Sequence, residues 1–303
     1  MTIDHTAVPG RERAVTEEVL ASFDATPDSR LRMVLHSLVR HLHAFAGEVR
    51  LTEREWQSAI DFLTRAGHIT DEHRQEFILL SDVLGLSMLT VAINEPPEPG
   101  ATESTVFGPF FVDDAPEVPL GGDIARGAAG SPCYVSGQVR SVSGVPIEGA
   151  RIEVWEADED GFYDVQYPDG RSAGRGWVRS DANGEYRFRS VLPAPYPIPH
   201  DGPVGDLLQA TNRSPMRPAH LHFMVTAPGF RTLITHVFLA GDPHLATDAV
   251  FGVKEKLVVS AIQHDDGPAP DGARHCGGWH SIAFDLVLAT GDGSNAARSC
   301  AGR

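Results

Sequence analysis

Over the first hundred residues the apolar positions recur every three or four residues, the spacing that gives a helix one buried stripe. In "DSRLRMVLHSLVRHLHAF" the stripe is Leu31, Val34, Leu35, Leu38, Leu42 and Phe45, and Asp28 or Ser29 is available to cap the first turn. "LTEREWQSAIDFLTRAG" predicts a second helix, opened by a Thr52/Glu55 capping box and stopped at Gly67. A third is expected from about Thr70 through "FILLSDVLGLSMLTVAIN", until the prolines of "NEPPEPG" forbid another turn.

Past that proline-rich seam the period shortens to alternation. "CYVSGQVRSVSGVPIEGARIEVWEAD" predicts two strands around a Gly/Pro turn, and "GWVRSDANGEYRFRSVL" two more around Asn183-Gly184. Further strands are expected near 219–226, 233–239, 254–260 and 281–289. "YPIPHDGPVGDLLQ", from Tyr196, reads as a long loop that would be costly to order without a purpose. The fold class is therefore mainly β: an antiparallel β-sandwich with a helical N-terminal region. The expected division is 1–100 helical, 101–290 sandwich, and 291–303 a flexible tail.

Composition narrows the partners. With 303 residues and 42% hydrophobic ones, the chain has ample material for a core. A formal net charge of −16 would repel nucleic acid, which leaves a small molecule as the favoured partner. The three cysteines, Cys133, Cys276 and Cys300, are widely spaced and form no CxxC pair, so a reducing compartment fits. Without a run of about 18 apolar residues the expectation is a cytoplasmic protein with no membrane partner.

The chemistry begins at "HLH". His220 and His222 alternate with Leu221 on a strand and so share one face; they are either polar positions in solvent or two donors aimed at one metal. Tyr163 follows a strand end and Tyr196 opens the long loop. Either phenol alone could be an amphipathic filler. Two phenols with two imidazoles suit a hard, highly charged ion better than zinc or calcium, and a trivalent ion would hold tyrosinate at neutral pH. Iron(III) is the natural candidate.

"GFYD", "YPIPHDGPVG" and "RPAHLHF", in that order, resemble the metal-binding segments of the intradiol ring-cleaving dioxygenases, and the resemblance extends from the helical segment to about residue 290. It implies a non-haem Fe(III), one per subunit, held by Tyr163, Tyr196, His220 and His222. It further implies that Arg217 sits beside a small aromatic diol or triol and stabilises charge during attack by O2; the alternative for Arg217 is an ordinary salt bridge. Fe(III) with two tyrosinates and hydroxide is formally neutral, as it is with one tyrosinate and a doubly deprotonated catechol. Substrate can then displace Tyr196, the tyrosine implied to leave and take up a proton, without stranding a buried charge. The same resemblance implies a homodimer through the N-terminal helices, with a phospholipid bound there.

Asp82, amid apolar neighbours in "EFILLSDVLGLSML", bears on which diol is cleaved. Either an Arg, a Lys or a hydroxyl within the chain satisfies it, or it accepts from an extra substrate hydroxyl. The second reading matches the hydroxyquinol-cleaving branch, which "ATESTVFGPFFVDDAP" also resembles, and leaves catechol or a substituted catechol as the alternative substrate. By that resemblance Leu79, Asp82, Val106, Phe107, Gly108, Pro109, Phe110, Pro197, Ile198, Pro199 and Val250 line the ring pocket with Arg217. His236, where many catechol-cleaving members carry glutamine, is either a neighbour of the donors beyond direct coordination or a packed core residue. "HDD" at 264–266 and "HCGGWH" at 275–280 are weak metal signals that lack a full donor set. A transthyretin-like or carbohydrate-binding sandwich is the non-enzymatic reading of the same strand pattern.

Overall fold

The histidine strand shows how the alternation in sequence builds the fold. In the computed structural model, which describes residues 10–71, 74–96 and 98–291, residues 220–226 are extended. Leu221, Phe223 and Val225 point to one side, into the main apolar core, and His220 and His222 point to the other. The core is filled from two sheets whose apolar faces meet. One sheet runs β3 (Arg175–Arg179), β2 (Arg151–Trp155), β7 (His220–Thr226), β8 (Leu233–Leu239), β9 (Val258–Val259). The other runs β10 (Ile262–His264), β13 (Trp279–Ala283), β1 (Pro132–Ser141), β14 (Leu286–Leu288), with β4 (Glu185–Val191) also on β1. Two short ribbons complete the set: β5 (Tyr196–Pro197) with β6 (Met216–Arg217), and β11 (Gly267–Pro268) with β12 (Arg274–His275). Phe188, Phe223, Leu221 and Ile282 are fully buried between the main sheets, each such side chain contributing about 1.5–3 kcal/mol by leaving water.

The sandwich expectation holds, with mixed rather than purely antiparallel pairing. β1 pairs in parallel with β13 and β14, and β8 with β9. The strand expected at 254–260 shortens to β9 after a turn of 3₁₀ helix, and the one expected at 281–289 is two strands, β13 and β14.

The described residues gather into two compact units, up to Arg65 and from Ala66 on. The first holds α1 (Gly10–Ser22), which the pattern reading did not place, α2 (Ser29–Glu48) and most of α3 (Glu53–Ile69). The Asp28 carboxylate accepts from the amides of Arg30 and Leu31 at 2.8 and 3.0 Å, and Thr52 and Glu55 form the expected reciprocal box at 2.9 and 3.3 Å. Gly67 does not stop α3, which continues to Ile69. The expected third helix starts only at Glu76 and is broken in two, α4 (Glu76–Val83) and α5 (Leu86–Asn94), bent by 77° at Gly85 in the left-handed conformation. The loop expected across 196–209 is overturned in its second half: Pro203–Ala210 is a helix, α6, with proline in its first turn and the Glu76 carboxylate accepting from the amide of Val204 at 3.0 Å. Among the described residues no single helix is long and apolar enough to cross a membrane. Cys133 and Cys276 are free thiols; Cys300 and the expected tail from 292 lie outside the described residues.

Candidate metal centre

β7 and β8 run antiparallel with His222 opposite His236 and His220 opposite Phe238. All three imidazoles therefore rise from the outer face of the sheet, away from the sandwich core, and each is buried there. The cover over them is a second apolar cluster: Trp155, Ala157, Tyr163 and Tyr196, with Phe110, Phe111 and Met224 packed on it.

Inside that cover four donor atoms meet. The Tyr163 hydroxyl lies 2.9 Å from Nε2 of His222 and 3.1 Å from the Tyr196 hydroxyl. Nε2 of His220 lies 3.2 Å from Nε2 of His222 and 3.5 Å from the Tyr196 hydroxyl. Metal–donor bonds of about 2 Å place neighbouring donors roughly 2.8–3.4 Å apart, so this ring of two oxygens and two nitrogens has the size of a coordination sphere. Nδ1 of His220 donates to the Pro218 carbonyl at 2.7 Å, which leaves Nε2 as the lone-pair nitrogen. Burial pushes the Tyr163 phenol well above its usual range, reinforced by Tyr196, so a cation is needed to hold it as tyrosinate. Burial, then the Arg217 charge, lowers His220 to about 3; His222 is also well lowered by burial, and both stay neutral and able to coordinate. The residues present fit a hard trivalent ion.

Two close approaches of the chain shape the ring. Gly161, at φ 84°, lies against Tyr196; a Cβ there would stand 2.7 Å from the tyrosine Cβ. Gly108, at φ 79°, lies against His222; a Cβ would stand 2.9 Å from its Cε1.

Arg217 is buried beside the donors, with Nη1 3.2 Å from Nε2 of His220. It is also in a salt bridge: Nε reaches Oδ1 of Asp248 at 3.1 Å and Nη2 reaches Oδ2 at 3.5 Å. Both readings offered for Arg217 thus have geometry behind them. Burial works against the charge, but Asp248 outweighs it and raises the guanidinium pKa. Although burial alone would raise Asp248, Arg217 holds that carboxyl below its usual value. Asp248 is further held by the amides of Gly252 and Val250 at 2.8 and 3.4 Å.

The remaining sequence-derived pocket residues sit on segments tied to this centre. Tyr196 pairs with Arg217 and Pro197 with Met216 across β5–β6, and the Ile198 amide donates to the Pro215 carbonyl at 2.9 Å, with Pro199 next along. Ala249, beside Val250, donates to the Met216 carbonyl at 3.2 Å. Leu79 and Asp82 lie three apart on the buried side of α4. Asp82 has a partner within the fold. Arg213 bridges α4 to the Val250 segment, donating to the carbonyls of Val83 at 2.6 Å and Ala249 at 3.1 Å. From Val106 to Phe110, Val106 is buried, Pro109 exposed, and the rings of Phe107 and Phe110 pack on Trp155 and Tyr163 at 5.9 and 4.5 Å.

His236 packs its ring 4.1 Å from that of His222, and its donor nitrogen lies within 4.8 Å of those of the pair. Thr105 holds its Nδ1, while Nε2 is buried without a hydrogen-bond partner. The phenol oxygens lie 2.9 and 3.5 Å from the Nε2 atoms of His222 and His220, whereas Nε2 of His236 makes no hydrogen bond to either. Sequence reasoning missed Asp248, Trp155, Thr105 and Arg213. Only Trp155, an aromatic ending a strand, carried a signal; its ring stacks on His222 at 4.7 Å.

The other histidine-rich segments do not converge. Nε2 of His264 bonds the Ser281 hydroxyl at 2.8 Å, and its ring stacks on Trp279 at 3.8 Å. His275 bonds the Tyr134 hydroxyl at 2.9 Å, Asp266 accepts from the Gly277 amide at 2.7 Å, and Cys276 is exposed. Among the described residues, His220, His222 and His236 are the one assembled group of His, Cys, Asp or Glu donors.

Residues 107–290 match the family model described as Dioxygenase, and residues 28–102 match Catechol dioxygenase N terminus. The chain belongs to the intradiol ring-cleavage dioxygenases. It is 61% identical to the hydroxyquinol 1,2-dioxygenase of Rhodococcus opacus, over 92% of this chain and 94% of that one. It is 60% identical to the hydroxyquinol 1,2-dioxygenase of Nocardioides simplex, over 92% and 96%. The solved structure of hydroxyquinol 1,2-dioxygenase from Pseudomonas putida DLL-E4 superposes with a TM-score of 0.87 at 44% identity, covering 93% of this chain and 99% of that one. Membership sets aside the non-enzymatic sandwich, and intradiol dioxygenases depend on iron(III).

Proposed function

We propose that the chain cleaves hydroxyquinol, benzene-1,2,4-triol, between its adjacent hydroxylated carbons, consuming O2 and yielding 3-hydroxy-cis,cis-muconate, the enol form of maleylacetate. One Fe(III) per subunit is assigned to Tyr163, Tyr196, His220 and His222. The observation that carries this is the ring of four donors 2.9–3.5 Å apart, walled from water. When bound, the metal supplies a Lewis-acidic site for both substrate oxygens and activates the chelated ring toward O2.

The protein's own part follows from its side chains. Tyr196, whose hydroxyl makes the longer contacts of 3.1 and 3.5 Å, is the phenol assigned to take a proton from substrate at its oxygen, while Tyr163, fully buried under Phe110, would hold the metal as tyrosinate. Arg217, held by Asp248, faces the charge that develops on the ring as oxygen adds. The aromatic cover keeps water away. Leu79, Val106–Phe110, Pro197–Pro199 and Val250 are assigned to the ring pocket. Asp82 is assigned to the third hydroxyl, since a carboxylate has acceptor sites to spare beyond its partner in the fold. Relatives at about the 60% level are named for this triol, which supports it over catechol.

The functional division proposed lies near residue 100: helices before it, of which α4 serves the pocket, and the catalytic sandwich to about 290. α2 leaves Leu38, Leu42 and Phe45 more than half exposed, which supports a homodimer through the helices; light scattering tests it, and lipid extraction tests whether a phospholipid accompanies it.

An oxygen electrode comparing the triol with catechol, beside a visible spectrum, tests the function. The expected result is a red-brown enzyme faster on the triol, with Asp82→Ala losing about 10- to 100-fold on the triol, the value of one hydrogen bond to a charged group. Faster turnover of catechol would overturn the substrate and leave ring cleavage standing; full activity without iron would overturn the centre.

A further inference from the structure

β3 begins at Arg175, opposite Trp155 on β2, and its side chain turns into the buried ground beneath the metal-centre cover. Its guanidinium clasps Asp164 in a fork, Nε to Oδ2 at 2.9 Å and Nη2 to Oδ1 at 2.6 Å. The same Nη2 donates to the Phe110 carbonyl at 2.8 Å. Asp164 is the residue after Tyr163, and its carboxylate also accepts from the amides of Val165 and Ala173 at 2.9 and 3.3 Å. Phe110 is the residue whose ring lies over that of Tyr163, with centroids 4.5 Å apart and planes 23° from parallel. One side chain therefore holds both the turn that presents the phenol and the irregular segment that lies on it.

Stability alone is a poor account of this arrangement. A buried ion pair gains little over well-packed apolar groups because both charges are stripped of water, and here Nη1 of Arg175 is buried with no hydrogen-bond partner. What the fork does supply is direction, because a planar guanidinium fixes two acceptors relative to each other in a way an ammonium does not. The segment it fixes has no regular secondary structure from Val106 to Phe111, apart from a turn.

We propose that Arg175 is a positioning residue that sets the Phe110 ring against Tyr163, and through it fixes the orientation of the phenolate donor and the wall of the ring pocket. The proposal rests on the reading of Tyr163 as an iron donor. Small rotations of a phenolate about its bond to the metal alter orbital overlap, so the charge-transfer band of iron-loaded enzyme without substrate reports the orientation directly. The KM for substrate reports the wall.

The experiment compares Arg175→Met, Arg175→Lys, Phe110→Ala and the Arg175→Met/Phe110→Ala double variant as iron-loaded enzymes, with Tyr163→Phe as control. The expected result is a displaced band in Arg175→Met and a KM raised several-fold at nearly constant kcat. Phe110→Ala should displace the band in the same direction, and the double variant no further than the larger single one, as two links of one chain require. Arg175→Lys keeps the charge without the fork and should resemble Arg175→Met; it gives the reading if Arg175→Met fails to fold. A band and KM like those of the parent enzyme in the folded Arg175 variants, or additive shifts in the double variant, would overturn the proposal. If Tyr163→Phe keeps the parent band and iron content, the donor assignment fails, whatever Arg175 does.

Discussion

The chain carries histidines in two quite different settings, the strand at 220–222 and the corner formed by His264, His275 and their neighbours. On the strand, alternation forces both rings to one face, antiparallel pairing brings His236 beside them, and two phenols close the ring. In the corner, the imidazoles of His264 and His275 are already committed to the hydroxyls of Ser281 and Tyr134, and that of His264 also to the face of Trp279. The difference lies less in residue type than in whether the backbone makes lone pairs converge and leaves them free of better partners.

The widest separation between the two regions is expected on deleting an imidazole. His220→Ala or His222→Ala should empty the centre and reduce oxygen uptake by roughly 10³-fold or more, beyond the 10- to 100-fold typical of losing a group that only supports a ligand. His264→Ala should keep its iron and stay within about twofold of the parent. Elemental analysis and an oxygen electrode decide both, and loss of iron from His264→Ala would erase the distinction.

Next in size is the charge beside the strand. Asp248→Asn strands a buried Arg217 and should cost about 3–5 kcal/mol in denaturant unfolding, whereas Asp266→Asn, in the exposed corner, should cost less than about 0.5 kcal/mol.

A smaller effect is set by pH. Burial lowers the strand histidines, His220 from 6.5 to about 3, so the unfolded metal-free chain binds more protons than the folded one in that window. Stability from this source is complete above pH 6.5 and is lost as pH falls toward 3. The urea midpoint of metal-free protein should drop over that range, and a flat profile would contradict it. In the corner, His275→Ala removes one partly buried hydrogen bond to Tyr134 and should cost about 0.5–1.5 kcal/mol.

Of the four proposed donors, His220 and His222 were legible from strand alternation, whereas Tyr163, well past the end of β2 at Trp155, and Tyr196, opening the long loop, read locally as fillers and were picked out by the resemblance to the intradiol dioxygenases. Capping chemistry likewise located α2 and α3 from Asp28 and the Thr52/Glu55 box. What was not legible depends on partners far along the chain. Asp248 meets Arg217 from 31 residues away, and Arg175 reaches Phe110 across 65. α6 was hidden because proline and glycine at its start read as loop, whereas Pro203 is a first-turn residue and Glu76 on α4 supplies the carboxylate at its N-terminus. The break between α4 and α5 was written in Gly85, but the apolar run across it outweighed one glycine.

At Gly108 it is the main chain, not a side chain, that stands against the His222 imidazole. Any bulkier residue would need both a backbone twist that side chains resist and space the ring already fills. On the ring pocket proposed above, room for larger substituted rings is closed at 108 and is to be sought at Val106 and Phe107. A library randomised over residues 106–110 and selected for turnover should return glycine at 108 in every active clone while its neighbours vary, a fixed post between adjustable panels.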